Sequence, residues 1–438
     1  MKHTKTLTYL FRGFLFVAVL LALACPASVF AEKENAMEKQ MKSKKKFLTQ
    51  EEKQRMVIEE LQKRVDFYRN QTPPDYGNMA LQYVTLMEFY PFTVHGKMAA
   101  WEAYDLFRKA KDYNGAMAQL SRIMDVYGYN QTIANPYDPE QPVLMRATAR
   151  IEMGRFYAER GDFFTAAEIA QSVPNQYPGV VVGRFSGEAT YYGKVEIVSA
   201  MDIARFNIKT ADFNAAVLAM IELVRKYKDA TIGDMHGKRS MESAAIEIVR
   251  EAVRKMPASE NKRMSVYQEV YDELKDRAAM AKVMFYQAQI YIDTFKETGN
   301  EKRIEEALSL YQTALERYPD AVEVYSKGSM LMAVEALRGI RSMYVDKLKN
   351  PKRGVMMLYE IERKYAKTHR PVAAYARYYA ALTLGQNVTN YEQAIYDLEI
   401  LKRDYPEVIV YPTKADQDPV PLSVHADKVI KEFRKKKL

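Results

Sequence analysis

One arrangement of apolar and polar positions recurs along the chain. Asp112-Tyr113, Asp162-Phe163 and Asp212-Phe213 return at intervals of 50 residues. Three residues after each aromatic stands an alanine (Ala116, Ala166, Ala216), and eleven further on a tyrosine (Tyr127, Tyr177, Tyr227). The same frame runs from Ile304 to Ala307 and Tyr318, from Pro351 to Gly354 and Tyr365, and from Tyr391 to Ala394 and Tyr405. It also appears earlier, from Tyr76 to Met79 and Tyr90. A degenerate copy starts at Met264, with Tyr267 and Ala278 in the two key places. Steps of four, seven and eleven from the small residue stay on one side of an α-helix. Tyr311, Ala314 and Tyr318 follow Ala307 in this way. Each frame therefore predicts an amphipathic helix whose small residue admits a close neighbour and whose tyrosine fills the gap to the next unit. Pro91, Pro178, Pro319 and Pro406 follow that tyrosine and stop the helix, because the residue before a proline is pushed off helical geometry.

A partner helix precedes each of these. The clearest covers residues 143–160 and ends at Gly161-Asp162. The set Arg150, Met153-Gly154, Tyr157, Ala166, Ala170, Val173 and Pro178 resembles the tetratricopeptide repeat (TPR). The resemblance spans roughly residues 51–410 and implies an all-α fold, an α-solenoid of about seven to eight TPR-like helix pairs. Its repeat-packing residues would be Gly154, Tyr157, Ala116, Ala166, Ala216, Ala307, Gly354 and Ala394. The intervals, 37 to about 50 residues, exceed the family's usual ~34, so helices or connections are longer. The Tyr-Pro endings look like exported bacterial members of the family.

This reading divides the chain into an N-terminal array, 51–227, an irregular inserted segment with a helix, 228–263, and a C-terminal array, 264–410. Residues 411–438 would be a Pro-containing linker and a polar helix capping the last apolar face, as an open solenoid requires. In front, Lys2, Lys5 and Arg12 precede an apolar run from Gly13 to Ala24, and Val29-Phe30-Ala31 suits a signal peptidase. Residues 1–31 thus read as a signal peptide, and 32–50 as a polar Lys/Glu-rich leader. The expected location is the periplasm. Ala22-Leu23-Ala24-Cys25 also resembles a lipobox, with Cys25 as the acylated residue of an outer-membrane lipoprotein, and this alternative stays open.

Composition sharpens the picture in three places. Gly and Pro number only 18 and 17, which favours long helices over many turns. A net charge of +9, evenly spread, does not mark a nucleic-acid binder. One cysteine excludes a disulfide framework and any Cys-based metal site. His95, His236, His369 and His425 form no zinc-binding i, i+4 pair, and Gly237-Lys238 lacks the first glycine and the Ser/Thr of a phosphate loop. No Gly-x-Ser-x-Gly elbow or Gly-x-Gly-x-x-Gly turn occurs. The expectation is a scaffold or adaptor for cell-envelope proteins, without catalysis, cofactor or metal. A peptidoglycan- or glycan-binding module is the third reading.

The TPR pattern also implies a groove. Positions eleven, eight and seven before the key alanine would face it: Asp105, Arg108 and Lys109; Arg155, Ala158 and Glu159; Arg205, Ile208 and Lys209. Trp101 and Met201, further up the same face, would add apolar contacts. Residues 98–209 are therefore expected to bind an acidic or C-terminal carboxylate-bearing segment of an envelope protein, with arginine forks on the carboxylates. This resembles the family's carboxylate clamp, although its asparagine is absent at Asp105, Arg155 and Arg205.

Overall fold

The computed structural model describes residues 49–136, 138–184, 191–234, 237–325, 328–410 and 420–437. The expected signal peptide, Cys25 and nearly all of the leader lie outside the described residues. The chain divides into two units, residues 1–67 and 68–438. In the first, helix α1 (Gln50–Arg69) begins at a reciprocal capping box. Glu52 N–H donates to the Thr49 hydroxyl at 3.2 Å, and Thr49 N–H to the Glu52 carboxylate at 2.8 Å.

The second unit opens with α2 (Tyr76–Phe89). Seven helix pairs follow, each a first helix A and a second helix B. They are α3 (Val94–Lys109) with α4 (Tyr113–Val126), α5 (Met145–Glu159) with α6 (Phe163–Gln176), and α7 (Val195–Lys209) with α8 (Phe213–Lys226). Next come α9 (Met241–Lys255) with α10 (Glu260–Tyr271), and α11 (Arg277–Thr298) with α12 (Lys302–Arg317). The last two are α13 (Met332–Ser342, continued by a π-turn to Lys347) with α14 (Pro351–Tyr365), and α15 (Arg370–Asn387) with α16 (Tyr391–Asp404). Helix α17 (Leu422–Lys437) closes the array, burying Leu422, Ala426, Ile430 and Phe433 and ending in Arg434-Lys435-Lys436-Lys437.

The Asp-aromatic dipeptide marks the A-to-B turn for a physical reason. Lys111, Gly161 and Ala211 have φ of 59°, 85° and 64°, the left-handed region that ends a helix. The next residue, Asp112, Asp162 or Asp212, sends its N–H back to the carbonyl of Phe107, Tyr157 or Asn207. Its carboxylate then caps helix B, accepting from the N–H of Gly115, Thr165 or Ala215 at 2.9–3.1 Å. Lys349-Asn350 and Thr389-Asn390 repeat the device with asparagine.

The predicted packing residues fall where close approach is needed. Ala116, Ala166, Ala216, Ala307 and Ala394 have no exposed surface. A Cβ on Gly154 would stand 3.2 Å from Ile169, and one on Gly354 2.8 Å from Tyr344. Tyr157 is half-buried against the Ala166, Ala170 and Phe206 cluster. Tyr127, Tyr177, Tyr318, Tyr365 and Tyr405 are buried at the ends of their B helices.

The junctions carry an addition to the helical array. Five of them hold antiparallel hairpins: β1 (Thr132–Ile133) with β2 (Val143–Leu144), β3 (Val181–Arg184) with β4 (Tyr191–Lys194), and β5 (Thr231–Asp234) with β6 (Gly237–Ser240). The others are β7 (Val322–Tyr325) with β8 (Gly328–Leu331), and β9 (Ile409–Val410) with β10 (Val420–Pro421). The first six strands form one sheet in chain order; β2 and β3 run parallel, the other neighbours antiparallel. Each hairpin is tied off alike. The first N–H of the next A helix (Met145, Val195, Met241, Met332) or of α17 (Leu422) donates to a carbonyl just before the hairpin's first strand, at 2.7–3.1 Å. Within 228–263 the structure thus places β5, β6, α9 and the start of α10. Among the described residues no helix is long and apolar enough to cross a membrane.

Candidate functional site

The A helices α3, α5 and α7 carry all the groove residues proposed from sequence. In the structure this wall lies against the chain's own strands. The Thr148 hydroxyl of α5 accepts the Gly183 N–H of β3 at 3.1 Å, and Val198 of α7 packs against Gly193 of β4. This corrects the apolar part of the expected groove: Trp101 and Met201, at 5% and 2% exposure, are core residues. The hairpin between α6 and α7 lies over this wall, with β3 against the preceding helix α5 and β4 against the following helix α7.

The charged part forms a ladder. Arg184, the last residue of β3, is fully buried and bridges Asp105 of α3 and Glu152 of α5, the latter at 2.7 Å. Glu152 also meets Arg155 at 3.1 Å. Arg155 grips Asp202 of α7 with two nitrogens, at 2.7 and 3.1 Å, and Arg205 reaches Asp202 at 3.2 Å. The guanidinium of Arg155 stacks 3.7 Å from the centre of the Tyr191 ring, and that of Arg184 lies over Trp101 and Tyr104. Arg108 holds both oxygens of Glu159 at 2.7 Å.

The electrostatics follow from this alternation. Burial alone would raise the Glu152 carboxyl. The charges of Arg184 and Arg155 and the Arg184 hydrogen bond outweigh it, and hold that carboxyl below its usual range. Burial and the neighbouring Asp105 push Glu102 up. Three arginines therefore alternate with three carboxylates, and Arg155 is spent on Glu152 and Asp202. The expected anion-binding fork at Arg155 is corrected accordingly: its acidic partners are Glu152 and Asp202 of the same wall, which the groove positions did not include. Lys109, Lys209 and half-exposed Arg205 remain toward solvent at the C-terminal ends of α3 and α7. Cations there also complement the helix dipole.

A second buried polar group lies further along. Lys282 of α11 meets Glu323 of β7 at 2.5 Å, the Ser243 hydroxyl of α9 at 3.0 Å and Glu247 at 3.3 Å. A third joins Arg377 of α15 to Glu362 at 2.5 Å and Asp397 at 3.2 Å, with the Tyr359 hydroxyl donating to Asp397. Both pin helix A to its neighbours as the first ladder does. Among the described residues no group of three His, Cys, Asp or Glu side chains is placed to hold a metal ion.

The residues missed from sequence are Arg184, Glu152 and Asp202. Glu152 and Asp202 stand three residues before Arg155 and Arg205, a helical-neighbour spacing that marks ion pairs. Arg184 sits in Val181-Val182-Gly183-Arg184, whose β-branched pair beside a glycine is a strand signal.

The tetratricopeptide repeat family model matches residues 282–321, which hold most of α11, all of α12 and the turn into β7. No curated protein matches the chain. Among solved structures it is similar to the C-terminal part of a TPR repeat-containing protein from Cytophaga hutchinsonii, at 11% identity over 76% of this chain and 98% of that one, with a TM-score of 0.34. YrrB, described as a TPR protein with an unusual peptide-binding site, gives 11% identity over 55% of this chain and 94% of that one, TM-score 0.26. A signal-transduction ATPase with a tetratricopeptide repeat sensor from Pyrococcus horikoshii gives 14% identity over 87% and 50%, TM-score 0.31.

Proposed function

We propose that this TPR-repeat protein is an exported scaffold that brings cell-envelope proteins together without catalysing a reaction. The observation that carries the reading is the succession of seven helix pairs among the described residues of 94–404, with one pair matching the TPR family model. Such arrays offer long rims and edges for several partners at once. Export is supported by the basic start and apolar Gly13–Ala24 run of the sequence. The test is crosslinking of the tagged full chain in its own cells, with fractionation and mass spectrometry. Recovery from the periplasmic fraction, lacking residues 1–31 and joined to envelope proteins, is the expected result. An uncleaved cytoplasmic protein without partners would refute it.

The lipobox-like Ala22-Leu23-Ala24-Cys25 supports a second reading, an acylated protein of the outer membrane. Incorporation of labelled fatty acid that Cys25→Ala abolishes would establish it. No incorporation would remove it.

A further inference from the structure

Met98, Thr148 and Val198 hold the same place in three successive A helices, each seven residues before the matching Asp105, Arg155 or Arg205. Two of them are roofed. Thr148 is 0% exposed beneath β3, and Val198 is 2% exposed, its Cγ2 3.4 Å from where a Cβ on Gly193 of β4 would stand. Met98 is 53% exposed. Two features of the chain leave it open. Strand β1 has only two residues and lies at the edge of the six-stranded sheet. Ahead of it, α2 passes to α3 through the short turn 90–93, where the next three junctions insert a hairpin. Phe92 (63%), Val94 (64%) and Phe89 (51%) stand exposed at the same corner. Four large apolar side chains within ten residues exceed the scattered exposure of an ordinary surface.

We propose that this corner is a docking seat for an extended segment of a partner polypeptide, added beside β1 as one more strand. The array itself shows what fits such a seat. Over α5 and α7 the covering residues are glycines flanked by β-branched or aromatic residues, Val181-Val182-Gly183 and Tyr191-Tyr192-Gly193. Lys97 already holds the Thr132 carbonyl of β1 at 2.7 Å, which fixes that strand against α3. A segment laid along β1 would meet the Thr132 N–H on that strand's outer edge, beside the carbonyl that Lys97 holds, while Met98, Phe92 and Val94 would contact its side chains. The inference rests on the scaffold reading and adds to it the surface and the class of partner segment.

The test uses the full chain and a synthetic peptide copying residues 178–196, the β3–β4 segment. Hydrogen exchange with mass spectrometry maps where the peptide binds. Exchange about tenfold slower at residues 92–98 and 131–134 is expected, lost in Met98→Lys and kept in the distant control Phe164→Ser. Met98 and Phe164 are both exposed, so neither change disturbs the core. No protection, protection only at another strand, or protection unchanged by Met98→Lys would overturn the proposal. So would protection of this corner by raised protein concentration alone, or by phosphatidylglycerol vesicles and not by peptide. Those results would give the seat to a second copy or to lipid. Partners crosslinked in cells despite a silent peptide experiment would keep the scaffold and discard only the seat.

Discussion

Removing Arg184 should be among the most damaging single changes in the second unit. The side chain is fully buried and faces two carboxylates, of which Glu152 is itself only 3% exposed. Arg184→Met fills similar space but leaves Arg155 as the remaining ion-pair partner of Glu152 among the described residues, and Arg155 is already committed to Asp202. Stranding a buried charge in this way costs about 3–5 kcal/mol. The double change Arg184→Met with Glu152→Met removes both charges. Asp105 lies nearer the surface, and Arg155 keeps its two-pronged contact with Asp202. The double variant should therefore regain most of the loss, to within about 1–2 kcal/mol of wild type, leaving a large coupling energy. Urea unfolding followed by circular dichroism gives the global figure. Because stability in repeat arrays is local, hydrogen exchange at 145–159 and 181–184 gives the regional one. Two results would refute the reasoning: a single variant losing less than about 1 kcal/mol, or a double variant no better than the single.

Three further expectations follow from the same geometry. Ala211 and Lys111 adopt a left-handed backbone that glycine enters without a Cβ clash, so Ala211→Gly and Lys111→Gly should each stabilise by about 0.5–1 kcal/mol, read from urea midpoints. Trp101 is the only tryptophan and is buried, so its emission should be blue-shifted and resist iodide quenching, whereas an open groove would give red, quenchable emission. Burial raises the Glu362 and Asp397 carboxyls despite Arg377. The folded state thus binds those protons more tightly, and stability is gained as pH falls through the raised values and lost as it rises. The wild-type stability margin over Glu362→Gln should accordingly grow from neutral pH down towards about 4, the ordinary carboxylate range; a shrinking margin would contradict the shift.

The sequence revealed the B helices well because their signals are local. An Asp or Asn cap, a small residue three places into the helix and a closing tyrosine each do one job within a single helix and its nearest neighbour. The interval between copies also carried more than it first shows. Tyr113, Phe163 and Phe213 begin B helices 50 residues apart and have hairpins between them, whereas Pro351 and Tyr391 are 40 apart and have none. The extra length was visible; its strand character lay in short runs such as Val181-Val182-Gly183, too brief to outweigh the helical pattern around them. That omission decided the fate of the groove. A TPR-like register set Asp105, Arg155 and Arg205 in equivalent places, and in the structure one chain of ion pairs runs through all three. The register could not show that β3 would lay Arg184 among them, or that Trp101 would be sealed into the core. Pairing of a strand residue with carboxylates 79 and 32 positions earlier is long-range information that no local spacing holds.

The central structural claim is that strands β3 and β4 cover the wall formed by α5 and α7. Hydrogen exchange of the unliganded full chain tests this most directly. Slow exchange is predicted at Val182 and Gly183 and at Tyr192 and Gly193, together with fast exchange at Phe92, Thr93 and Val94. Fast exchange across β3 and β4 would contradict the account and reopen the wall around Arg155 as a binding groove.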